Sequence, residues 1–354
     1  MKGDRVTRPT VERDPPKKDF DLLALAATFA QRQGLSLNDP AFVERFFDDA
    51  AHRLKVALGD PTLIHGSRTE RMFEATVLSL GRFRLFKAED TGRVHPAMAY
   101  RAPDFRIVLQ EGDDWLVEVK NVHSKNPQNQ RTSVSAAYLA SLEAYADAVG
   151  SPLRLALYWS RWSLWTVIAV DRFRRPDGSL RITMTEAMKS NEFGRLGDVL
   201  ICTRPPLRLV LDVTSDMPRD LNAERLSDFV AGSGRVYSGE VELIDAKDRR
   251  LAVILFLYGD WPLEGPRAIM GNEGVVGIEF VAAPQQPSDQ GFDGVGWASR
   301  IFTKYFATRT VDGDQVIQLH GAPAPEWFAP LATWNFERSQ LPLWLLYQQP
   351  SPPR

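Results

Sequence analysis

Apolar and polar positions change their period several times along the chain, and each change marks a predicted element. Helical spacing runs through "DFDLLALAATFAQRQG", stopped by Gly34, and through "NDPAFVERFFDDAAHRLKVALGD", which Asn38 or Asp39 starts with Pro40 in the first turn. A third helix is predicted from Ser67 in "SRTERMFEATVLSLGRF". There Ser67 and Glu70 fit a capping box, and Met72, Ala75, Val77 and Leu78 form an apolar side. Strand-like runs follow at "FRLFKA" (83–88), "DFRIVLQ" (104–110) and "WLVEVKNV" (115–122), the last two joined by the turn "EGDD". After the polar stretch "HSKNPQNQRTS" comes a helix, "SVSAAYLASLEAYADAVG". Its Val134, Tyr138, Leu142, Tyr145 and Val149 recur at helical spacing, and Gly150 ends it.

"LRLALYW" and "LWTVIAV" read as a strand pair about "SRWS", "ITMTEAMKSNEFGRLGD" as a helix, and "VLICT" and "LRLVLDVT" as strands. Further on, "GEVELID", "LAVILFLYG" and "VVGIEFVAA" read as strands, "APQQPSDQGFDG" as a loop and "GWASRIFTKYFAT" as a helix. Strands on both sides of a helix, after a helical lead-in, predict an α/β fold with a mixed central sheet flanked by helices. The composition turns polar over 215–224, so a domain boundary is expected there. The expected plan is a flexible N-terminal arm (1–19), a helical lead-in and main domain (20–215), and a smaller α+β domain (222–354).

The length of 354 residues suffices for two such cores. Hydrophobic residues at 44% and charged residues at 25% match ordinary soluble proteins, which confines expected disorder to the ends. The longest apolar runs are too short or too interrupted for a bilayer, and the first twenty residues lack a secretory apolar core. A cytoplasmic location is expected. Cys202 is the only cysteine and the five histidines are scattered, which excludes an intrachain disulfide and a thiolate zinc cluster. Any metal is therefore expected on oxygen ligands. A net charge of −2 gives no general pull on polyanions, so nucleic-acid binding would need local basic patches.

The hairpin 102–121, "APDFRIVLQEGDDWLVEVKN", carries the candidate chemistry. Residues two apart on a strand face one way, so Glu118 and Lys120 share a face while Val117 and Val119 pack on the other. Pairing through "EGDD" sets Asp104 across from the end of the second strand, and two carboxylates and an ammonium converge. Half-buried charges persist when paired with one another or with a metal, and hard oxygen ligands suit Mg2+ or Mn2+. Such a metal lowers the pKa of bound water and offsets charge on a phosphodiester, while Lys120 positions the water or stabilises developing charge. The same letters recur at Pro176-Asp177 and at Asp245-Ala246-Lys247, on predicted loops without a partner motif.

Pro103-Asp104, a short gap and then Glu118-Val119-Lys120 resemble the PD-(D/E)xK nuclease superfamily, the restriction-endonuclease-like fold, over roughly residues 60 to 170. The resemblance implies a metal-dependent nuclease, an endonuclease rather than an exonuclease, acting on DNA rather than RNA in bacterial defence or DNA processing. It implies Asp104, Glu118 and Lys120 as catalytic, with Glu74 in "RMFEATV" as the helix acid that completes the metal site. The helix after the Lys strand would face the site; the Gln-to-Tyr spacing of some exonuclease branches is replaced by Ser141 before Tyr145. His123, Lys125, Asn129 and Arg131 form a polar loop suited to phosphates, with Lys125 and Arg131 as the nucleic-acid contacts. Trp159, Trp162 and Trp165 read as core rather than as base-stacking residues, and Glu70 as a cap rather than a ligand. Residues 222–354 would supply target recognition, a partner surface or dimerisation. The rival reading is a non-hydrolytic module that binds nucleic acid or protein on the same scaffold; an enzyme for a small phosphorylated substrate lacks a phosphate-cradling loop.

Overall fold

The predicted hairpin forms, and a mixed sheet grows from it. The computed structural model describes residues 18–89, 100–212, 234–272, 274–320, 327, 328, 331 and 339–350. Strands β1 (Phe83–Ala88), β2 (Phe105–Leu109), β3 (Asp114–Val122), β5 (Leu153–Trp159) and β6 (Leu164–Ala169) lie in the order β1-β2-β3-β5-β6. The β3/β5 pair is parallel and the other pairs are antiparallel. Gly112, at φ 102°, makes the tight β2–β3 turn, in the left-handed region that glycine enters without a Cβ penalty. The resulting register sets Phe105 opposite Val117 and Ile107 opposite Trp115.

A parallel pair needs a crossover, and helix α4 (Ala136–Val149) supplies it. Ser135 caps α4 by accepting the Tyr138 N–H at 3.3 Å, and Gly150, at φ 70°, closes it. Leu139, Leu142 and Ala146 of α4 cover one sheet face, packing with Leu116, Leu155, Leu157 and Trp159. On the other face Met72, Phe73 and Val77 of helix α3 (Pro61–Leu80) join Ile107, Val117 and Trp165. Covering both faces explains the nearly unbroken apolar runs of β3 and β5. Strand β4 (Arg131–Val134) pairs with β7 (Leu180–Thr183) as a two-stranded ribbon beside this sheet order, followed by helix α5 (Met184–Lys189).

The chain separates into two compact units, Met1–Arg68 and Thr69–Arg354. The first contains helices α1 (Lys18–Gln33) and α2 (Phe42–Leu58), packed on Phe29, Ala30 and Phe42. Besides the mixed sheet, the second contains β8 (Leu200–Thr203), β9 (Leu207–Asp212), β10 (Gly234–Ser238), β11 (Val241–Glu242), β12 (Leu263–Gly271), β13 (Gly274–Ala282), β14 (Asp293–Trp297) and β17 (Leu343–Leu346). These form a β11-β10-β9-β13-β12 sheet and a β14-β8-β17 sheet. The short ribbon β15 (Val311–Asp312) and β16 (Gln315–Val316) follows helix α7 (Ala298–Thr310). The boundary expected at 215–224 lies outside the described residues. On its two sides β9 and β10 pair with each other, and Phe73, Trp165, Leu209, Phe302 and Leu343 share one core cluster.

Four local expectations are corrected. The third helix starts at Pro61, not Ser67: Asp60 accepts the Thr62 N–H at 2.8 Å and Pro61 opens the first turn, which places Ser67 and Glu70 in the helix interior. The run "LAVILFLYG" is a helix, α6 (Ala246–Tyr258), not a strand. Asp245 caps it, accepting from Lys247 N at 2.8 Å and Asp248 N at 3.2 Å, and Leu251 through Phe256 are all buried, so no polar face remains to reveal the helical period. The segment 182–198, expected as one helix, divides instead into the end of β7, α5 and a 3₁₀ turn at Phe193–Leu196. "GEVELID" keeps only the two residues of β11 as strand, and the longer strand β10 precedes it.

Candidate active site

The β2–β3 register, carried one step past Phe105 and Val117, brings Asp104 opposite Glu118. Asp104 Oδ2 accepts the Val119 N–H at 2.7 Å, and its backbone carbonyl accepts the Glu89 N–H at 2.9 Å, so the residue is fixed between two strands. Glu118 is only 2% exposed. Its Oε1 accepts from the Lys120 ammonium and from the Tyr138 hydroxyl, and Lys120 Nζ also donates to the Tyr138 oxygen at 2.7 Å. The parity of β3 accounts for the partner: Leu116 and Val122, on the Glu118 side, pack under α4, and the first turn of α4 holds Tyr138. Lys120 Nζ and Arg101 Cζ each lie 4.5 Å from the Tyr138 ring centre, at cation–π range.

A third carboxylate belongs to this electrostatic group. Burial, then the charges of Glu118 and Glu70, push the Asp104 carboxyl up to about 7, against the Val119 N–H and Lys120, which favour its charged form. Burial also raises Glu70, with Arg71 pulling it back and Glu118 adding to the rise. For Lys120 burial works against the ammonium, but the charge and hydrogen bond of Glu118, helped by Tyr138, outweigh it and hold the proton more tightly than usual. The Tyr138 hydroxyl is raised by burial and by its donation to the Glu118 carboxylate, which holds the phenolic proton in place. Further out, the Tyr145 hydroxyl donates to Glu89 Oε1 at 2.7 Å and is pushed up to about 12 by burial and that neighbour.

The structure thus brings together Asp104, Glu118 and Lys120, and adds Glu70, Tyr138 and Arg101, which sequence reasoning placed elsewhere or passed over. Glu74 is one turn further along α3, ion-paired with Arg71 at 3.1 Å. Lys125 and Arg131 are exposed. Their loop is built: Gln130 Nε2 donates to the carbonyls of Ser124 at 3.2 Å and Asn126 at 2.6 Å, and Trp162 Nε1 donates to Pro127 O at 2.9 Å. His123 Nδ1 lies 2.9 Å from Ser160 Oγ. Trp159 and Trp165 are core residues, while Trp162 is exposed beside this loop. Of the two repeats of the motif letters, Asp177 is a turn acid bonded to Ser179, and Asp245 is the cap of α6.

The donor set suits a hard divalent cation. Its atoms are carboxylate oxygens of Asp104 and Glu118, with the Glu70 carboxyl in their electrostatic reach. On Asp104 and Glu118 one oxygen is tied, and the other takes no hydrogen bond from the described residues. Among the described residues no group of three or more His, Cys, Asp or Glu side chains is arranged to hold a metal ion. Tyr138→Phe deletes one of the two donors to Glu118 and keeps the ring under the cations. It is expected to cost about 1 to 2 kcal/mol of stability in urea unfolding. An unchanged midpoint would mean that the hydroxyl does not hold Glu118.

Among the described residues no helix is long and apolar enough to cross a membrane. No protein-family model and no curated protein matches the chain. Among solved structures the chain is similar to Hjc, a Holliday junction resolvase from the archaeal hyperthermophile Archaeoglobus fulgidus, with 21% sequence identity, coverage of 34% of this chain and 89% of that one, and a TM-score of 0.27.

Proposed function

We propose that the chain is a metal-dependent nuclease of the PD-(D/E)xK type that hydrolyses phosphodiester bonds in DNA. The observation that supports this reading is the convergence of acids: Asp104 stands opposite Glu118 at the end of β3 and Glu70 is close enough to push it up, whereas an ion pair with Lys120 needs only one carboxylate. Asp104, Glu118 and Glu70 would hold Mg2+ or Mn2+, with Glu70 in the role that the family resemblance gives to Glu74. The bound ion would supply a Lewis acid at the scissile phosphate. Lys120, held by Glu118 and Tyr138, orients the attacking water and faces the charge that develops on the phosphate. Arg101, stacked on Tyr138, and the exposed Lys125 and Arg131 bind the flanking phosphates.

The direct test is incubation of the full chain with labelled DNA and RNA of several shapes, with and without Mg2+ or Mn2+. Cleavage of DNA that requires the metal is the expected result. Binding without cleavage under every condition would replace the nuclease by a non-hydrolytic module.

Acidity supplies a further prediction. Because folding raises the Asp104 carboxyl, the native state holds a proton that the unfolded chain has released between about pH 4 and about pH 7. Its contribution to the metal-free protein is therefore complete below about pH 4 and is lost as the pH rises through about 7. Asp198, buried and raised to about 6, adds a decline of the same sign at lower pH. Metal-free Tm should fall across this window, and Mg2+ should raise Tm more at pH 8 than at pH 5.5, since the ion competes with the Asp104 proton. Calorimetry at the two pH values decides it; equal Mg2+ shifts would remove Asp104 from the ligands.

A further inference from the structure

Helix α2 presents two apolar sides. Phe42 and Phe46 pack toward α1, with ring centroids 5.9 and 5.7 Å from Phe29. Beside them Val43, Phe47, Leu54 and Leu58 form a second stripe and are each more than half exposed. Successive steps of about 3.6 residues keep these four, with Ala50 and Ala51 between them, on one side of the helix. A continuous exposed apolar stripe on a polar helix marks a partner surface.

The order of the residues identifies the partner. Read backwards, α2 superposes on itself about the midpoint between Ala50 and Ala51: Leu58 falls on Val43, Leu54 on Phe47, and Ala51 on Ala50. An isologous interface requires this property, because each contact from i to j recurs from j to i. The large side chains lie toward the ends and the alanines at the centre, where two helices approach most closely. Charge follows the same reversal. Glu44, Asp48 and Lys55 lie on one flank of the stripe at helical spacing, and reversing a second helix brings its Lys55 level with the interval between Glu44 and Asp48. A membrane surface is disfavoured by Glu44, Asp48 and Asp49, since interfacial helices carry basic polar faces.

We propose that α2 pairs antiparallel with α2 of a second copy of this chain about a twofold axis between Ala50 and Ala51, so that two α1–α2 hairpins form a four-helix bundle. Sedimentation of the full chain should show a concentration-dependent dimer. Phe47→Asp should raise its dissociation constant at least about tenfold, with helix content unchanged by circular dichroism. Lys55→Glu and Glu44→Lys/Asp48→Lys chains should each dimerise poorly alone and pair when mixed, because each then offers the complement of the other. Copper–phenanthroline oxidation should link Ala51→Cys chains into covalent dimers and leave His52→Cys chains, whose thiol faces away from the stripe, unlinked; Cys202 is buried and common to both. A chain that remains monomeric over the whole concentration range overturns the proposal. A dimer indifferent to Phe47→Asp and not linked through Ala51→Cys overturns it equally, since its interface then lies elsewhere.

Discussion

Asp104→Asn should lower Mg2+-dependent cleavage of DNA by at least about a thousandfold while leaving the chain folded. The amide has nearly the volume of the carboxyl, and its Oδ1 can still accept the Val119 N–H that fixes the side chain. Because Asp104 is already pushed up to about 7 by burial, Glu118 and Glu70, a neutral group there relieves repulsion. The variant should therefore match or exceed the metal-free wild type in Tm at pH 8 and show no Mg2+ shift. Retained cleavage would exclude Asp104 from the chemistry. A variant that melts many degrees early in the absence of metal would show instead that its charge is part of a structural ion pair.

Lys120→Met should cost about 3 to 5 kcal/mol of folding stability as well as cleavage. The stem is replaced by one of similar shape, but Glu118, at the buried heart of the group, loses its ammonium and keeps only the Tyr138 hydroxyl. The cost belongs to the orphaned carboxylate, so in a Glu118→Gln background the same substitution should cost less than about 1 kcal/mol. A urea double-mutant cycle measures the difference. Equal costs in both backgrounds would mean that the Lys120 stem, through packing, is what matters.

The Asp104–Glu118 juxtaposition was legible because the alternation through "FRIVL" and "WLVEV" and the glycine of "EGDD" define one register, and a one-residue slip would have turned Ile107 and Val117 out of the core. Glu70 was not legible. Glu70 and Glu74 lie one turn apart on nearly the same side of α3, so sequence sets their direction but not which turn stands level with the strand end. The capping-box letters Ser67 and Glu70 also drew the helix start forward, although Asp60-Pro61 is the pair that starts it. In the sequence Tyr138 stands out only as an apolar helix position; its hydroxyl matters because the crossover places the first turn of α4 over the end of β3. The run 251–258 misled for another reason: a helix buried all round has no polar stripe, and its letters are those of a central strand.

The three-stranded β14-β8-β17 sheet has a consequence for how the protein is made. Strand β8 is central in it, and one of its two neighbours is Leu343–Leu346, more than a hundred residues later in the chain. Leu341 and Leu343 are buried in the same cluster as Phe73, three residues beyond Glu70 on α3. On the ribosome, β8 keeps an unpaired edge and this core stays unfilled until translation has passed residue 346. Release factors and chaperones would therefore meet an immature protein whose acidic site has no finished support, and a chain aborted before that strand would present an open edge to quality-control proteases rather than circulate as a smaller folded protein.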